Sequence, residues 1–140
     1  MFKKIVDWNH ERGLIERGFD HAKEASFIIE ELLESTGKYD SLSAREKAME
    51  YAKEIIGETD TEPEKIIDAM ADIIVFATGA IAKNGYDPAK VMDEVYKQIN
   101  SRTGSMVDGK FVKDNDAVTY QADFTKCLII EEGGIGSKSK

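Results

Sequence analysis

The chain reads as an all-α protein: an antiparallel bundle of four to five helices followed by a short extended or hairpin C-terminal segment. Three observations carry that reading. Segments between Asp20 and Asn100 repeat apolar residues at helical spacing, with start and stop residues between them. The connections are short, so neighbours in sequence should pack antiparallel. One segment, Glu64 to Asn84, is apolar or small at nearly every position between Lys65 and Lys83, the pattern of a helix covered on all sides. It is expected at the centre of the molecule.

Taken in order, Val6 to Gly18 mixes Trp8, Leu14 and Ile15 with charges and reads as a short helix or an ordered arm. Asp20 can cap a helix to about Thr36, in which Ala22, Ala25, Ile28, Ile29, Leu32 and Leu33 share one face. Ser43 and Glu46 make a capping box for a third helix that stops at Gly57. The run Thr61-Glu62-Pro63-Glu64 repeats the device, with Pro63 in the first turn where its missing N–H costs nothing. Gly85 ends the apolar helix, and Asp87-Pro88 caps the next, with Val91, Met92, Val95 and Ile99 on its inner stripe. Asp108-Gly109, between short apolar alternations, signals a tight hairpin or an extended turn. Residues 1–132 read as one domain and 133–140, rich in Gly, Ser and Lys, as a flexible tail.

Bulk properties exclude several classes. A chain of 140 residues with 41% hydrophobic content can fill one core. Twenty-seven acids against 19 bases give a net charge of -8, which repels DNA, RNA and anionic lipid. A single cysteine, Cys127, excludes an internal disulfide and a Cys-rich zinc site. The first residues lack an apolar core of signal-peptide length, so the expected location is the cytoplasm, or the host cytoplasm if the protein is viral. The apolar helix is short for a bilayer and carries two acids, which argues against a membrane span.

Those acids, Asp68 and Asp72, stand one turn apart on one side of the helix, and no base lies within its apolar run. A carboxylate removed from water must be protonated, paired or bound to metal. Here the choice lies between a metal and a watery groove or distant Arg partners. On the second helix Glu30, Glu31 and Glu34 form another acidic group, and Phe27 stands among them. An aromatic ring seldom occupies the middle of a solvated charge patch, so this side should also face protein or ligand. Side by side, the two helices would offer hard oxygen ligands without Cys or well-spaced His, a set that suits Mg²⁺ or Mn²⁺. Mg²⁺ is usually completed by substrate phosphates. An acidic protein can therefore hold a polyphosphate if metal lies between them.

The runs WNHERGLIE, FIIEELLES, DAMADIIVFATGAIAKNGYDP and VYKQINSRTGSMVDGKFVK, in this order, resemble the MazG-like all-α nucleoside triphosphate pyrophosphohydrolases, especially the small single-domain forms that phages often carry. The likeness spans roughly Trp8 to Lys113. That family is marked by Glu-Glu-x-x-Glu on one helix and Glu-x-x-Asp on a later one. Glu30, Glu31 and Glu34 match the first, and Asp72 matches the end of the second. The position three before Asp72 is Ala69, so the missing ligand role is carried to Asp68, which can reach the same face. The resemblance implies a homo-oligomer, dimer or tetramer, that uses Mg²⁺ (Mn²⁺ as an alternative). Its substrate would be a nucleoside triphosphate cut between the α- and β-phosphates. Glu31, Glu34, Asp68 and Asp72 would be metal ligands, with Glu30 or Glu31 as the base. Lys97, Asn100 and Arg102 lie where the family places groups near the phosphates; as a plain helix end they would complement the helix dipole instead. Phe27 and Trp8 either border the base pocket or cover core.

Two rival classes have weaker support. A di-metal carboxylate bundle needs Glu-x-x-His pairs, but the residues three before His10 and His21 are Asp7 and Gly18. A non-catalytic acidic helical adaptor has no need of acids in its most apolar helix.

Overall fold

A computed structural model describes residues 1–58, 60–102, 104–108, 110–113, 120–131 and 134–135. Among these residues are five α-helices, α1 (Phe2–Glu11), α2 (His21–Glu34), α3 (Ser41–Ile56), α4 (Pro63–Lys83) and α5 (Pro88–Asn100), and a 3-10 turn at Phe124–Cys127. The all-α fold class is as expected. Two short hairpins follow, β1 (Gly104–Val107) with β2 (Lys110–Lys113), and β3 (Ile130–Glu131) with β4 (Gly134–Ile135). Asp108 opens the turn of the first with φ +51, a left-handed conformation that Asp tolerates better than most residues. The flexible tail expected over 133–140 falls largely outside the described residues. Gly134 and Ile135, however, form a strand. Among the described residues no helix is long and apolar enough to cross a membrane.

The chain divides into two compact units, Gly18–Glu62 and Met1–Arg17 with Pro63–Lys140. In the first, α2 and α3 pack against each other. Asp20 caps α2 by accepting the Lys23 N–H at 3.1 Å. The start of α3 differs from expectation. Asp40, not Ser43, is the cap, accepting both the amide and the hydroxyl of Ser43 at 2.8 Å. Both residue types cap well, and the earlier one lengthens the helix. Ala44, Ala48 and Ala52, at four-residue spacing, are fully buried on α3, and their small side chains permit close approach of a neighbouring backbone. The buried positions of α2 are Ser26 and Glu30, whereas Leu32 of the expected apolar face is 63% exposed. Gly57 ends α3 with φ +61, a conformation glycine adopts without steric cost.

In the second unit, α1 begins at Phe2, four residues before the expected start at Val6. Trp8 donates its indole N–H to the Ile99 carbonyl at 3.3 Å and the Arg12 guanidinium covers its ring at 4.1 Å, which fixes α1 against the end of α5. The larger correction concerns α4. Its bounds agree with expectation, but it contains no buried residue, and Ile67, Val75 and Phe76 are 67%, 65% and 76% exposed. An apolar circumference shows that a helix needs cover. It does not say that the same chain supplies it.

On α5 the single buried residue is Glu94, 5% exposed, in place of the expected apolar stripe. The cause is a strap. Residues 120–127 run back along α5 from its C-terminal end, and three side chains of the helix accept their amides. Ser101 Oγ takes the Tyr120 N–H at 3.2 Å, Gln98 Oε1 that of Ala122 at 2.8 Å, and Glu94 Oε1 that of Asp123 at 2.9 Å. The acceptors recur one turn apart, so one stripe of the helix substitutes for a partner strand. The far end is fixed by Asp87 N–H to the Cys127 carbonyl at 2.7 Å and Ile129 N–H to the Gly85 carbonyl at 2.9 Å. Cys127 is fully buried beneath, and that burial raises its thiol pKa.

Two outcomes test this packing. Ala48→Leu should destabilise the fold by about 1–3 kcal/mol in urea unfolding, since no space exists for the added methylenes; an unchanged midpoint would remove Ala48 from the tight contact. Glu94 is held well below its ordinary 4.5, at about 2, first by the Tyr120 hydroxyl and then by the Asp123 amide. A depressed carboxylate stabilises the fold above its unfolded pKa and loses that contribution as pH falls towards the folded value. Glu94→Gln should therefore lower the melting temperature at pH 7, with the gap to the native chain closing between about pH 4.5 and 2. A gap independent of pH would contradict the charged clamp.

Candidate active site

The helical pitch of α2 decides which of its acids meet. Glu30, Glu31 and Glu34 lie within little more than one turn, and one carboxylate oxygen from each falls within 4.8 Å of the others. Glu30 is 3% exposed, Glu34 half-buried and Glu31 exposed. The group thus grades from protein interior to solvent, which agrees with the expectation that this acidic side is more than a solvated face. Phe27, one turn earlier, is itself half-buried. Among the described residues this is the group of three or more acidic, His or Cys side chains close enough to share a cation.

Asp68 and Asp72 stand one turn apart on α4, as the spacing requires, but both are exposed in this chain. The argument from a carboxylate stripped of water therefore does not apply to them here. Their place on an exposed apolar helix leaves them open to a ligand.

At the end of α5, Lys97 is 57% exposed at its side chain and its ammonium lies 3.5 Å from Glu94 Oε2. Asn100 is exposed. Arg102 is half-buried, and its Nε is buried without a hydrogen-bond partner among the described residues. A guanidinium N–H in that state costs free energy until an acceptor arrives. Trp8 has its N–H committed to α5 and its ring under Arg12. An apolar groove of about 290 Å³ lies elsewhere in the same unit, lined by Ala80, Ile81, Asn84, Tyr86, Val91 and Phe124. Ala80 is eight residues beyond Asp72, about 12 Å along the helix, so this groove is not the acidic site.

Glu94 and Tyr120 escaped the sequence reading. The signal was the polar stripe Glu94, Gln98 and Ser101 on α5, at the spacing of one helix face.

Three carboxylates from one helix, gathered at the edge of solvent, can hold a hard divalent cation and orient a water. Comparison with known proteins agrees with that chemistry. Neither a characterised protein nor a solved structure gives a match, but the profile of the phosphoribosyl-ATP pyrophosphohydrolase family matches residues 15–98. The matched region runs from before α2 to near the end of α5 and includes the three glutamates, both aspartates and Lys97, while Trp8, Asn100 and Arg102 fall outside it. The chain belongs to the phosphoribosyl-ATP pyrophosphohydrolase family, within the MazG-like all-α superfamily, whose activity is pyrophosphohydrolysis of nucleotide-like substrates.

Proposed function

We propose that the protein hydrolyses a nucleoside triphosphate between its α- and β-phosphates, giving a nucleoside monophosphate and pyrophosphate. The observation that carries this reading is the meeting of Glu30, Glu31 and Glu34 within 4.8 Å in a chain of this family. The superfamily is typically dependent on a divalent metal, and the donor set fits one: every ligand atom is a carboxylate oxygen, which suits Mg²⁺, with Mn²⁺ as an alternative. Glu31, Glu34, Asp68 and Asp72 would hold it, and when bound it would neutralise charge on the phosphate oxygens.

The chain's own groups do the rest. Glu31, exposed on α2, or its buried neighbour Glu30 takes a proton from the attacking water. The water oxygen bonds to the α-phosphorus, the bond from that phosphorus to the α,β-bridging oxygen breaks, and pyrophosphate leaves with the electron pair. Lys97, Asn100 and Arg102 bind phosphate oxygens, a role supported by the unpartnered Nε of Arg102. Phe27 and Trp8 border the base. The family description favours a second substrate, phosphoribosyl-ATP, in which the same triphosphate is attached to a larger nucleoside.

The reading includes a homo-oligomer, dimer or tetramer. The exposed Ile67, Ile73, Ile74, Val75 and Phe76 of α4 support it, since a second copy would remove this apolar surface from water. It also includes a cytoplasmic location, where nucleoside triphosphates are made and used, and excludes nucleic acid and membrane as partners.

Four measurements follow. Nucleoside triphosphates and phosphoribosyl-ATP, presented with Mg²⁺ in H₂¹⁸O, should release pyrophosphate, with the label in the monophosphate product; label in released orthophosphate would contradict α,β cleavage. Asp72→Asn should reduce kcat by at least about 100-fold with helical content intact, and retained activity would remove Asp72 from the site. Asp68→Ala should raise the Mg²⁺ concentration needed for half-maximal rate, while an unchanged titration would show that Asp68 does not replace the family's glutamate. Phe76→Glu should convert the oligomer to monomer in light scattering; an unaltered mass would exclude α4 from the subunit contact.

A further inference from the structure

The reaction above leaves the clamp around Glu94 without a catalytic use. Its two carboxylate oxygens are divided between different partners. Oε1 accepts the Tyr120 hydroxyl at 2.5 Å and the Asp123 amide at 2.9 Å, both from the strap. Oε2 faces the Lys97 ammonium at 3.5 Å. The same ammonium lies 5.8 Å from the centre of the Tyr120 ring. The cation therefore stands beside a carboxylate oxygen and an aromatic ring that the strap fixes relative to each other.

A free lysine side chain loses rotamer entropy when it grips a ligand. Holding it beforehand removes part of that loss from binding. The pair is loose enough to allow exchange: 3.5 Å exceeds a strong charge-assisted hydrogen bond, and Lys97 is still 57% exposed. A structural anchor alone needs the strap donors on Oε1. It gives no reason for Oε2 to be presented to a lysine near the end of α5.

We propose that Glu94 is a positioning residue for Lys97: fixed at one oxygen by Tyr120 and the Asp123 amide, it uses the other to hold the ammonium ready for the substrate phosphates. The inference rests on the phosphate-binding reading of Lys97 given above, and it adds Tyr120 and the strap to the apparatus that prepares the site.

A double-mutant cycle on the full chain separates positioning from plain stability, with Mg²⁺ and inorganic pyrophosphate as the probe in titration calorimetry. Tyr120→Phe frees Oε1 of its shortest contact without altering charge. It should weaken pyrophosphate binding about threefold to tenfold when Lys97 is present, and by less than about twofold in the Lys97→Ala background. Equal losses in both backgrounds, no loss in either, or no effect of Lys97→Ala alone would overturn the proposal. If Tyr120→Phe does not fold by circular dichroism, Glu94→Gln takes its place in the same cycle, since it keeps an acceptor for both strap donors and loses the charge facing Lys97. Absence of pyrophosphate release from every nucleotide would remove the underlying reading. An additive cycle in a chain that does release pyrophosphate removes only the positioning role.

Discussion

Like charges on one helix repel, and α2 brings three carboxylates within 4.8 Å of one another. A bare pair of like charges at that separation repels by about 1 kcal/mol in water. Glu30 is also buried, at 3% exposure. Like charges three or four residues apart on a helix are mildly destabilising. Packing of α2 against α3 accompanies this grouping, and a divalent cation could bridge the three side chains. The proposed chemistry depends on that gathering of carboxylate oxygens.

The two acidic groups differ in how they are held. Glu30 is buried within a packed pair of helices, whereas Asp68 and Asp72 ride on an exposed apolar helix. This difference fits a division between a preorganised group and one completed by assembly. A second copy covering α4 would lower the dielectric around both aspartates and strengthen their hold on a cation.

Local signals marked most helix boundaries. Asp20 and Asp87 cap where their side chains suggested, and Gly57 and Gly85 take positive φ just past α3 and α4. The start of α3 was displaced because Asp40 and Ser43 are both good caps, and composition alone does not rank them. The burial of α4 was misjudged because periodicity reports how apolar a helix is and says nothing about which surface covers it. The acidic triad could be read from the 3.6-residue repeat. The strap could not, because its amides are bound by side chains 19 to 29 residues away, and no periodic pattern in residues 120–127 announces them. Glu94 consequently goes unnoticed in the sequence, although it is the buried residue of α5.

The proposed function rests first on the α2 carboxylates binding a divalent ion. Titrating Mn²⁺ into the protein and following the loss of its free-ion electron paramagnetic resonance signal tests this without any substrate. The account predicts saturable binding, competed by Mg²⁺, that Glu31→Gln and Glu34→Gln each weaken at least about tenfold. A native chain that leaves the Mn²⁺ signal unchanged, or binding indifferent to both substitutions, would contradict it.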